Sequence, residues 1–178
     1  MGRPKALLDL EGETFLDRLI SRFTGICDPI IVVLGYDSAR VRDGIRSDSV
    51  ATFAINPAPQ RGMLSSLQCG LRELPAGAAA ILFTLVDLPA VERSTIQAVA
   101  AAKAPVVIPR FDARNGHPVQ ISRAIAAELL ALPVEAQARD VLHRHRAATL
   151  FIDVADPAIL NDVDTPQEYD DLIAGARR

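Results

Sequence analysis

Apolar positions along this chain alternate between two periodicities, which predicts strands separated by helices. Nearly continuous or β-branched apolar runs predict strands at 30–34, 50–55, 79–86, 105–108, about 117–121 and 149–154, the first and third of these runs being typical of strands buried on both faces. Helical spacing or polar stretches of helical length predict helices at 13–23, 38–46, after the 58–63 loop through 74, 92–102, 123–132, 135–146 and from 167 onward. This alternation predicts a three-layer α/β fold with a mostly parallel sheet, right-handed crossovers and helices on both faces.

The composition is that of one globular domain, which we expect to span residues 1–178. The chain is 49% hydrophobic and 23% charged, and a chain of this length buries about 70% of its unfolded surface. No apolar run approaches the ~20 residues needed to cross a bilayer. The net charge of −3 provides no electrostatic footprint for duplex nucleic acid. We therefore expect neither a membrane nor a nucleic acid as partner.

The amino terminus and the two cysteines indicate a cytoplasmic protein. Residues 1–5 are polar and basic and lack the apolar core of a signal peptide. Cys27 and Cys69 are far apart and show no metal-ligand spacing, which favours reduced, partly buried thiols. Lysine occurs only at positions 5 and 103, so Lys5 stands out among the many arginines.

Asp87 follows the strongest apolar run in the sequence. At the carboxyl end of a strand in an open α/β sheet, where ligands bind, an aspartate is well placed to hold a divalent cation. Leu88 and Pro89 end the strand, since proline cannot donate to a sheet ladder. Taken alone, an aspartate in this position is better explained as a turn residue or a helix cap.

Five stretches occur in the order and spacing found in the molybdenum-cofactor nucleotidyltransferases, and five matches in register are far more specific than any one alone. They are 2–8 (GRPKALL), 61–67 (RGMLSSL), 85–89 (LVDLP), 116–119 (GHPV) and 162–166 (DVDTP). The chain most closely resembles the molybdopterin cytidylyltransferase branch. This resemblance implies a Rossmann-like nucleotidyltransferase fold. It also implies Mg²⁺-dependent nucleotidyl transfer from CTP or GTP to the phosphate of molybdopterin, with a molybdoenzyme or its chaperone as a further partner.

Such a transfer brings two anions together, so a divalent metal and a fixed cation supply most of what it needs. Asp87 and Asp164 are the candidate Mg²⁺ ligands, and Asp162 is a weaker third, because Mg²⁺ is typically held by one or two carboxylates plus phosphates and water. The other residues of the 162–166 stretch are explained by a helix start, with Thr165 as N-cap and Pro166 at the first helical position. This explanation is compatible with a metal role for Asp164.

Lys5 is the candidate phosphate-binding cation, because an ammonium is a compact point charge. Without the resemblance, a solvated lysine near the terminus would be the better explanation. The resemblance places a phosphate-contacting lysine at this position and implies that Gly2, Arg3 and Lys5 contact the nucleotide. It makes Lys5 and Asp87 the candidate catalytic residues.

Two further stretches are candidates for substrate contacts. Gly62, Ser65 and Ser66 fit a loop that enters a helix amino terminus, where free N–H groups and hydroxyls meet a nucleotide. A serine N-cap would explain one serine but not both. The resemblance places Gly116 and His117 on the pterin side of the pocket, although a lone histidine is more often structural.

The helix predicted at 135–146 carries the other two histidines. His143 and His145 are two residues apart, a spacing that does not put them on one helix face. We therefore expect both to be solvated.

The chain also departs from the family pattern. The family opens with a buried central strand and a loop of the form Leu-Ala-Ala-Gly-x-Ser-x-Arg-Met-Gly, whose backbone amides wrap the triphosphate. This chain starts at the Met-Gly of that motif, as expected for a start codon assigned too late or a shortened gene. We therefore expect the first strand and half of the nucleotide loop to be missing, leaving the apolar sides of two neighbouring strands exposed.

Two alternatives stay open. The missing loop suggests a catalytically inactive homologue, a binding or chaperone-like protein that keeps the cofactor pocket without holding a triphosphate. The third hypothesis keeps the chemistry but changes the acceptor to a sugar phosphate or a related metabolite, since the motifs specify the nucleotidyl half of the reaction better than the acceptor half.

Overall fold

The computed structural model describes residues 2–47, 49–133 and 135–176. The strands are β1 (Asp9–Leu10), β2 (Glu13–Thr14), β3 (Ile30–Leu34), β4 (Ala51–Ile55), β5 (Ala80–Phe83), β6 (Val106–Phe111), β7 (Arg114–Asn115), β8 (Val119–Ser122) and β9 (Thr149–Asp153). The α-helices are α1 (Phe15–Phe23), α2 (Ser38–Gly44), α3 (Met63–Arg72), α4 (Arg93–Ala101), α5 (Arg123–Ala131), α6 (Ala138–Arg144) and α7 (Pro166–Ala176). Each predicted helix and strand has a counterpart, with ends that differ by a few residues. Met1, on which the expectation about the start of the chain depends, lies outside the described residues.

The strands form two sheets and one small hairpin. β1 and β2 make the antiparallel hairpin, and β3 pairs in parallel with β4, from Ile30 opposite Ala51 to Leu34 opposite Ile55. The larger sheet has the order β5–β8–β6–β9, with β6 and β9 parallel and β7 paired with the far end of β6. β8 is antiparallel to both β5 and β6, so β5, β6 and β9 all point the same way.

The predicted mainly parallel α/β fold is therefore confirmed, with β8 as the reversed strand. Its reversal follows from the short connection from β6 through β7 to β8, because antiparallel strands can be joined by a tight turn whereas parallel strands need a long crossover.

β3 and β5 each have one edge without a strand partner. Over the three described ranges, β3 pairs only with β4 and β5 only with β8. Side chains bridge the two sheets, since one apolar cluster joins residues of α1 and α4 to Ile30, Leu82, Leu85 and Val86.

The prediction that these two strands are buried on both faces is wrong. Residues 30–33 of β3 are half-buried, and β5 exposes Ala80. The unpaired edges account for the difference, because a strand flanked on one side only is covered less completely.

β5 also ends earlier than predicted, so Asp87 is not at the strand's last residue. The strand stops at Phe83, which pairs with Val119, and the next antiparallel pair would place Thr84 opposite Pro118. Proline has no N–H to donate, so the ladder ends there. Asp87 instead lies in a turn, four residues beyond the strand.

Among the residues described, no helix has the length and apolar character needed to cross a membrane. Cys27 and Cys69 are both half-buried and form no disulfide, as expected for reduced thiols. Burial raises the pKa of the Cys27 thiol.

Asp17 ties the first turn of α1 to the loop after α2. Its backbone N–H donates to Thr14 Oγ1 at 3.0 Å, and the Thr14 hydroxyl donates to Asp17 Oδ2 at 2.7 Å. Asp17 Oδ1 accepts from the backbone N–H groups of Arg46 and Ser47, each at 2.9 Å. The side chain is buried, and burial by itself would raise its pKa. The hydrogen bonds that the carboxylate accepts from Thr14, Arg46 and Ser47 outweigh that effect and lower the pKa of Asp17.

Replacing this carboxylate tests its contribution to stability. We expect Asp17→Asn to lower the free energy of unfolding by about 2 kcal/mol at pH 7, since an amide cannot accept all of these bonds. The folded-state pKa of Asp17 lies below the unfolded value of about 3.9, so this stabilisation is present above that value and is lost as pH falls through the folded pKa. Urea unfolding should therefore show the difference shrinking below about pH 4. The exposed Asp43→Asn is the control, and a loss that is the same at every pH would contradict this role.

Candidate functional site

Three charged residues from distant parts of the chain meet at one point. Lys5 lies in a single 3-10 turn before β1, Asp87 in the turn after β5, and Asp164 just before α7. Lys5 Nζ donates a hydrogen bond to Asp164 Oδ1 and lies 3.6 Å from Asp87 Oδ2. The structure thus brings together the predicted cation and both predicted metal ligands.

Backbone contacts hold the two carboxylates in place. The N–H of Val163 donates to the carbonyl of Asp87 at 2.9 Å, and Val163 itself is buried in an apolar cluster. Beyond Asp164, Glu168 Oε2 accepts from the backbone N–H of Thr165 at 2.7 Å, while Thr165 Oγ1 accepts from the N–H of Glu168 at 3.2 Å. This reciprocal pair is a capping box. The predicted N-cap at Thr165 and helix start at Pro166 are therefore confirmed.

The charges in this cluster stabilise one another. Burial by itself would lower the pKa of Lys5, but the hydrogen bond to Asp164 and the negative charges of Asp87 and Asp164 outweigh it and raise the pKa. The hydrogen bond from Lys5 and its positive charge lower the pKa of Asp164. Lys5 therefore stays protonated and Asp164 ionised at neutral pH.

Asp87 has an oxygen available for a ligand. Its Oδ1 atom is buried and has no hydrogen-bond partner among the described residues, and leaving such an acceptor unsatisfied is costly. Within the same residues, no group of three or more His, Cys, Asp or Glu side chains is arranged to hold a metal ion. The two carboxylates fit Mg²⁺, which is often bound by one or two carboxylates with phosphates and water completing the coordination.

The loop at Gly62–Ser66, predicted to contact a nucleotide, is hydrogen-bonded to a residue that was not among the sequence predictions. Asn56, buried just after β4, donates from Nδ2 to Ser65 Oγ at 2.7 Å and to Ser66 Oγ at 3.0 Å. Gly62 occupies the N-cap position of α3 with φ +85°, in the left-handed region that glycine favours.

Neither serine caps α3, so the N-cap explanation is wrong. Asn56 orients both hydroxyls instead. Asn56 could have been recognised from the sequence, because it is a polar residue directly after the strand predicted at 50–55.

Gly2 and Arg3 lie in an exposed segment that leads into the turn carrying Lys5. The predicted nucleotide residues therefore fall into two groups, one beside the carboxylates and one in the loop before α3. Their roles toward a nucleotide stay predictions.

His117 lies close enough to Asp87 for the carboxylate charge to act on its ring. Its ring packs edge-on against Phe83, with 5.8 Å between ring centroids, and its Nδ1 is buried without a partner among the described residues. Burial lowers the pKa of His117, an effect partly offset by the Phe83 backbone and the charge of Asp87, so the ring is neutral at pH 7.

Gly116 packs against the segment before α7. A Cβ at this position would lie 2.4 Å from the carbonyl oxygen of Ile159. The requirement for glycine here is therefore one of close packing.

The expectation that both histidines of the 135–146 segment are solvated is wrong for His145. His145 is half-buried, and its Nε2 lies 2.8 Å from Glu128 Oε1 on α5. Helix α6 ends at Arg144, so His145 is the C-cap residue and its side chain is directed toward α5. His143 is exposed and lines a cavity beside His117.

A mainly parallel α/β fold with a lysine between two aspartates beside its sheet defines a Rossmann-like nucleotidyltransferase domain. Residues 1–149 match the family described as the MobA-like NTP transferase domain, and the chain belongs to this family. The predictions of fold class and of a nucleotidyltransferase are thereby confirmed.

Several solved structures share the fold along nearly the whole chain. A Mycobacterium sp. strain JC1 homologue of Mycobacterium tuberculosis Rv0371c is 26% identical, with a TM-score of 0.85 over 100% of this chain and 90% of that one. Rv0371c from Mycobacterium tuberculosis H37Rv in complex with manganese is 27% identical, with a TM-score of 0.80 over 97% and 93% of the two chains. The molybdopterin-guanine dinucleotide biosynthesis protein A of Archaeoglobus fulgidus is 15% identical, with a TM-score of 0.67 over 99% and 92%, a likeness of fold alone.

A curated relative is also similar over part of its length. The bifunctional protein GlmU of Bifidobacterium animalis subsp. lactis is 29% identical over 100 residues, which is 53% of this chain. The matched stretch spans 22% of the length of that protein.

The packing at Gly116 allows a direct test. We expect Gly116→Ala to lower the free energy of unfolding by about 1–3 kcal/mol, because the added methyl meets backbone rather than a movable side chain. Thermal or urea unfolding measures the loss, with Gly77→Ala as the control, since a Cβ at Gly77 meets nothing within 4 Å. Equal stability of the two variants would show that the contact with Ile159 is loose.

Proposed function

We propose that this protein transfers a nucleotidyl group from CTP or GTP to the phosphate of a molybdopterin-type acceptor in the cytoplasm, with Mg²⁺ as cofactor and release of pyrophosphate. The observation that carries the proposal is the position of Lys5 between Asp87 and Asp164. Family membership supports the nucleotidyl half of the reaction. The five sequence motifs support the acceptor and a molybdoenzyme or its chaperone as recipient of the product.

In this reaction an oxygen of the acceptor phosphate attacks the α-phosphorus of the triphosphate, and the bond to pyrophosphate breaks with its electron pair leaving on the bridging oxygen. Asp87 and Asp164 hold the metal, and Lys5 binds phosphate oxygens. Bound Mg²⁺ supplies charge neutralisation on the phosphates. The Gly62–Ser66 loop, oriented by Asn56, contacts the nucleotide, and Gly116 and His117 line the acceptor side.

The transfer is tested by pyrophosphate release. Protein, Mg²⁺, CTP or GTP, and molybdopterin should release pyrophosphate, and a sugar phosphate in place of molybdopterin tests the alternative acceptor. Release that requires molybdopterin supports the proposed acceptor. Pyrophosphate release with a sugar phosphate but not with molybdopterin would show that the acceptor is a sugar phosphate.

Asp87→Asn tests the metal ligand. We expect turnover to fall about 100-fold or more, with circular dichroism unchanged because the backbone contact to Val163 remains. Asp170→Asn on α7 replaces an exposed carboxylate and should leave turnover unchanged. Turnover retained in Asp87→Asn would remove Asp87 from its proposed role.

Metal binding without nucleotide tests whether Lys5 shares these carboxylates with the metal. The complex of Rv0371c with manganese supports a divalent cation and suggests Mn²⁺ as the probe. We expect Lys5→Met to bind Mn²⁺ severalfold more tightly, because the ammonium no longer neutralises Asp87 and Asp164, and to lose turnover.

Mn²⁺ titration followed by electron paramagnetic resonance measures this affinity. Lys103→Met, which replaces the other lysine, should bind Mn²⁺ as the unmodified chain does. Mn²⁺ binding that is unchanged in Lys5→Met would show that the metal lies elsewhere.

A second candidate is a protein that binds the cofactor without transferring a nucleotide. It is favoured by the unpaired edges of β3 and β5, since within the described ranges no strand pairing joins the two sheets beside Lys5. Binding of molybdopterin with no triphosphate binding and no pyrophosphate release would support it.

A further inference from the structure

A cavity of about 210 Å³ is lined by His117, and none of Lys5, Asp87 and Asp164 is among its lining residues. The 115–119 segment and Phe151 of β9 also line it. Three basic side chains belong to the same lining: Arg139 and His143 on α6, and Arg146 just after it. Arg139 and His143 are four residues apart and therefore share one helix face.

These three side chains lack acidic partners. Across the described part of the chain, no carboxylate lies within 4.0 Å of a basic nitrogen of Arg139, His143 or Arg146. The nearby carboxylates are engaged elsewhere: Asp153 pairs with Arg110 at 2.9 Å, and Glu128 contacts Arg144 and His145. A chain of net charge −3 thus concentrates uncompensated basic groups around one concavity.

The aromatic wall holds one of these groups in position. The Arg146 guanidinium lies over the Phe151 ring at 5.7 Å from its centroid, and Arg110 lies 5.2 Å from the same centroid. Stacking of this kind orients a guanidinium while leaving its N–H donors free. Arg110 has Asp153 to bind, whereas the Arg146 side chain has no hydrogen-bond acceptor among the residues that the structure describes.

We propose that this cavity binds a second anionic group of the acceptor, remote from the phosphate that attacks the nucleotide. The inference rests on the proposed function. The reacting phosphate belongs beside Lys5 and Asp87, which do not line the cavity, so the basic side chains of the cavity meet a different part of the same molecule. The acceptor class is therefore a phosphate monoester with a further anionic group, and Arg139, His143 and Arg146 discriminate it from monoanionic competitors.

Direct binding tests the cavity independently of turnover. Inorganic phosphate, titrated into the full chain, should shift the His143 ring signals in a ¹H–¹³C spectrum, and it should do so equally in Asp87→Asn. The double variant Arg139→Gln/Arg146→Gln should weaken this binding about tenfold or more. Arg144→Gln, whose side chain is already paired with Glu128, is the matched control and should bind as the unmodified chain does.

Kinetics separate this inference from the proposed function. Arg146→Gln should raise the KM for molybdopterin about tenfold and leave the KM for CTP unchanged. An equal rise in both constants, or no phosphate-induced shift of His143, would overturn the cavity's role even if pyrophosphate is released. A His143 shift that persists undiminished in the double variant would show binding of an adventitious ion only and would also overturn it. Phosphate binding that depends on the arginines, in a protein without turnover, would support the anion site and count against the transfer.

Discussion

The contact between the turn after β5 and the segment before α7 determines the geometry of the site. The ion pairs of Lys5 with Asp87 and Asp164 are partly exposed, with 59% of the Asp164 side chain accessible, and exposed pairs contribute little to stability. The backbone bond from Val163 to Asp87, the burial of Val163 and the capping box at Thr165 fix the two carboxylates instead. The backbone therefore fixes the positions of the two carboxylates, and Lys5 adds a positive charge between them.

The reversed strand β8 builds the other side of the same site. Its short connection from β6 carries Gly116 and His117 past Phe83, so that one turn both ends the β5 ladder and places an imidazole beside the carboxylates. The close approach of Gly116 to Ile159 in turn ties this corner to the segment that leads to Asp164. The sheet of β3 and β4 and the sheet that carries His117 are therefore coupled through packing rather than through a continuous sheet, since β3 and β5 do not pair within the described ranges.

Local signals predicted local structure well. β3 was predicted with its observed bounds because a continuous apolar run stops at Gly35, and α7 begins where Thr165 and Pro166 indicate. The end of β5 was missed because it depends on Pro118, far away in sequence. The N-cap explanation of Ser65 and Ser66 failed for a similar reason, since Asn56 lies on another element. The contact of Lys5 with Asp87 and Asp164 was predictable only through the family motifs, because the spacing of apolar residues carries no information about contacts between distant parts of the chain.

The basic cavity could not be predicted from the sequence, and its charge has a consequence for selectivity. On α6, Arg144 pairs with Glu128 whereas Arg139 and His143 line the cavity, a division that does not show in the sequence of a basic helix. Folding separates the two sets and leaves Arg139, His143 and Arg146 facing one concavity. Around Lys5, by contrast, the two negative charges of Asp87 and Asp164 outnumber the single positive charge. Under the proposed function, discrimination between acceptors therefore depends on the cavity, where Arg139 and Arg146 have no carboxylate within 4.0 Å among the described residues.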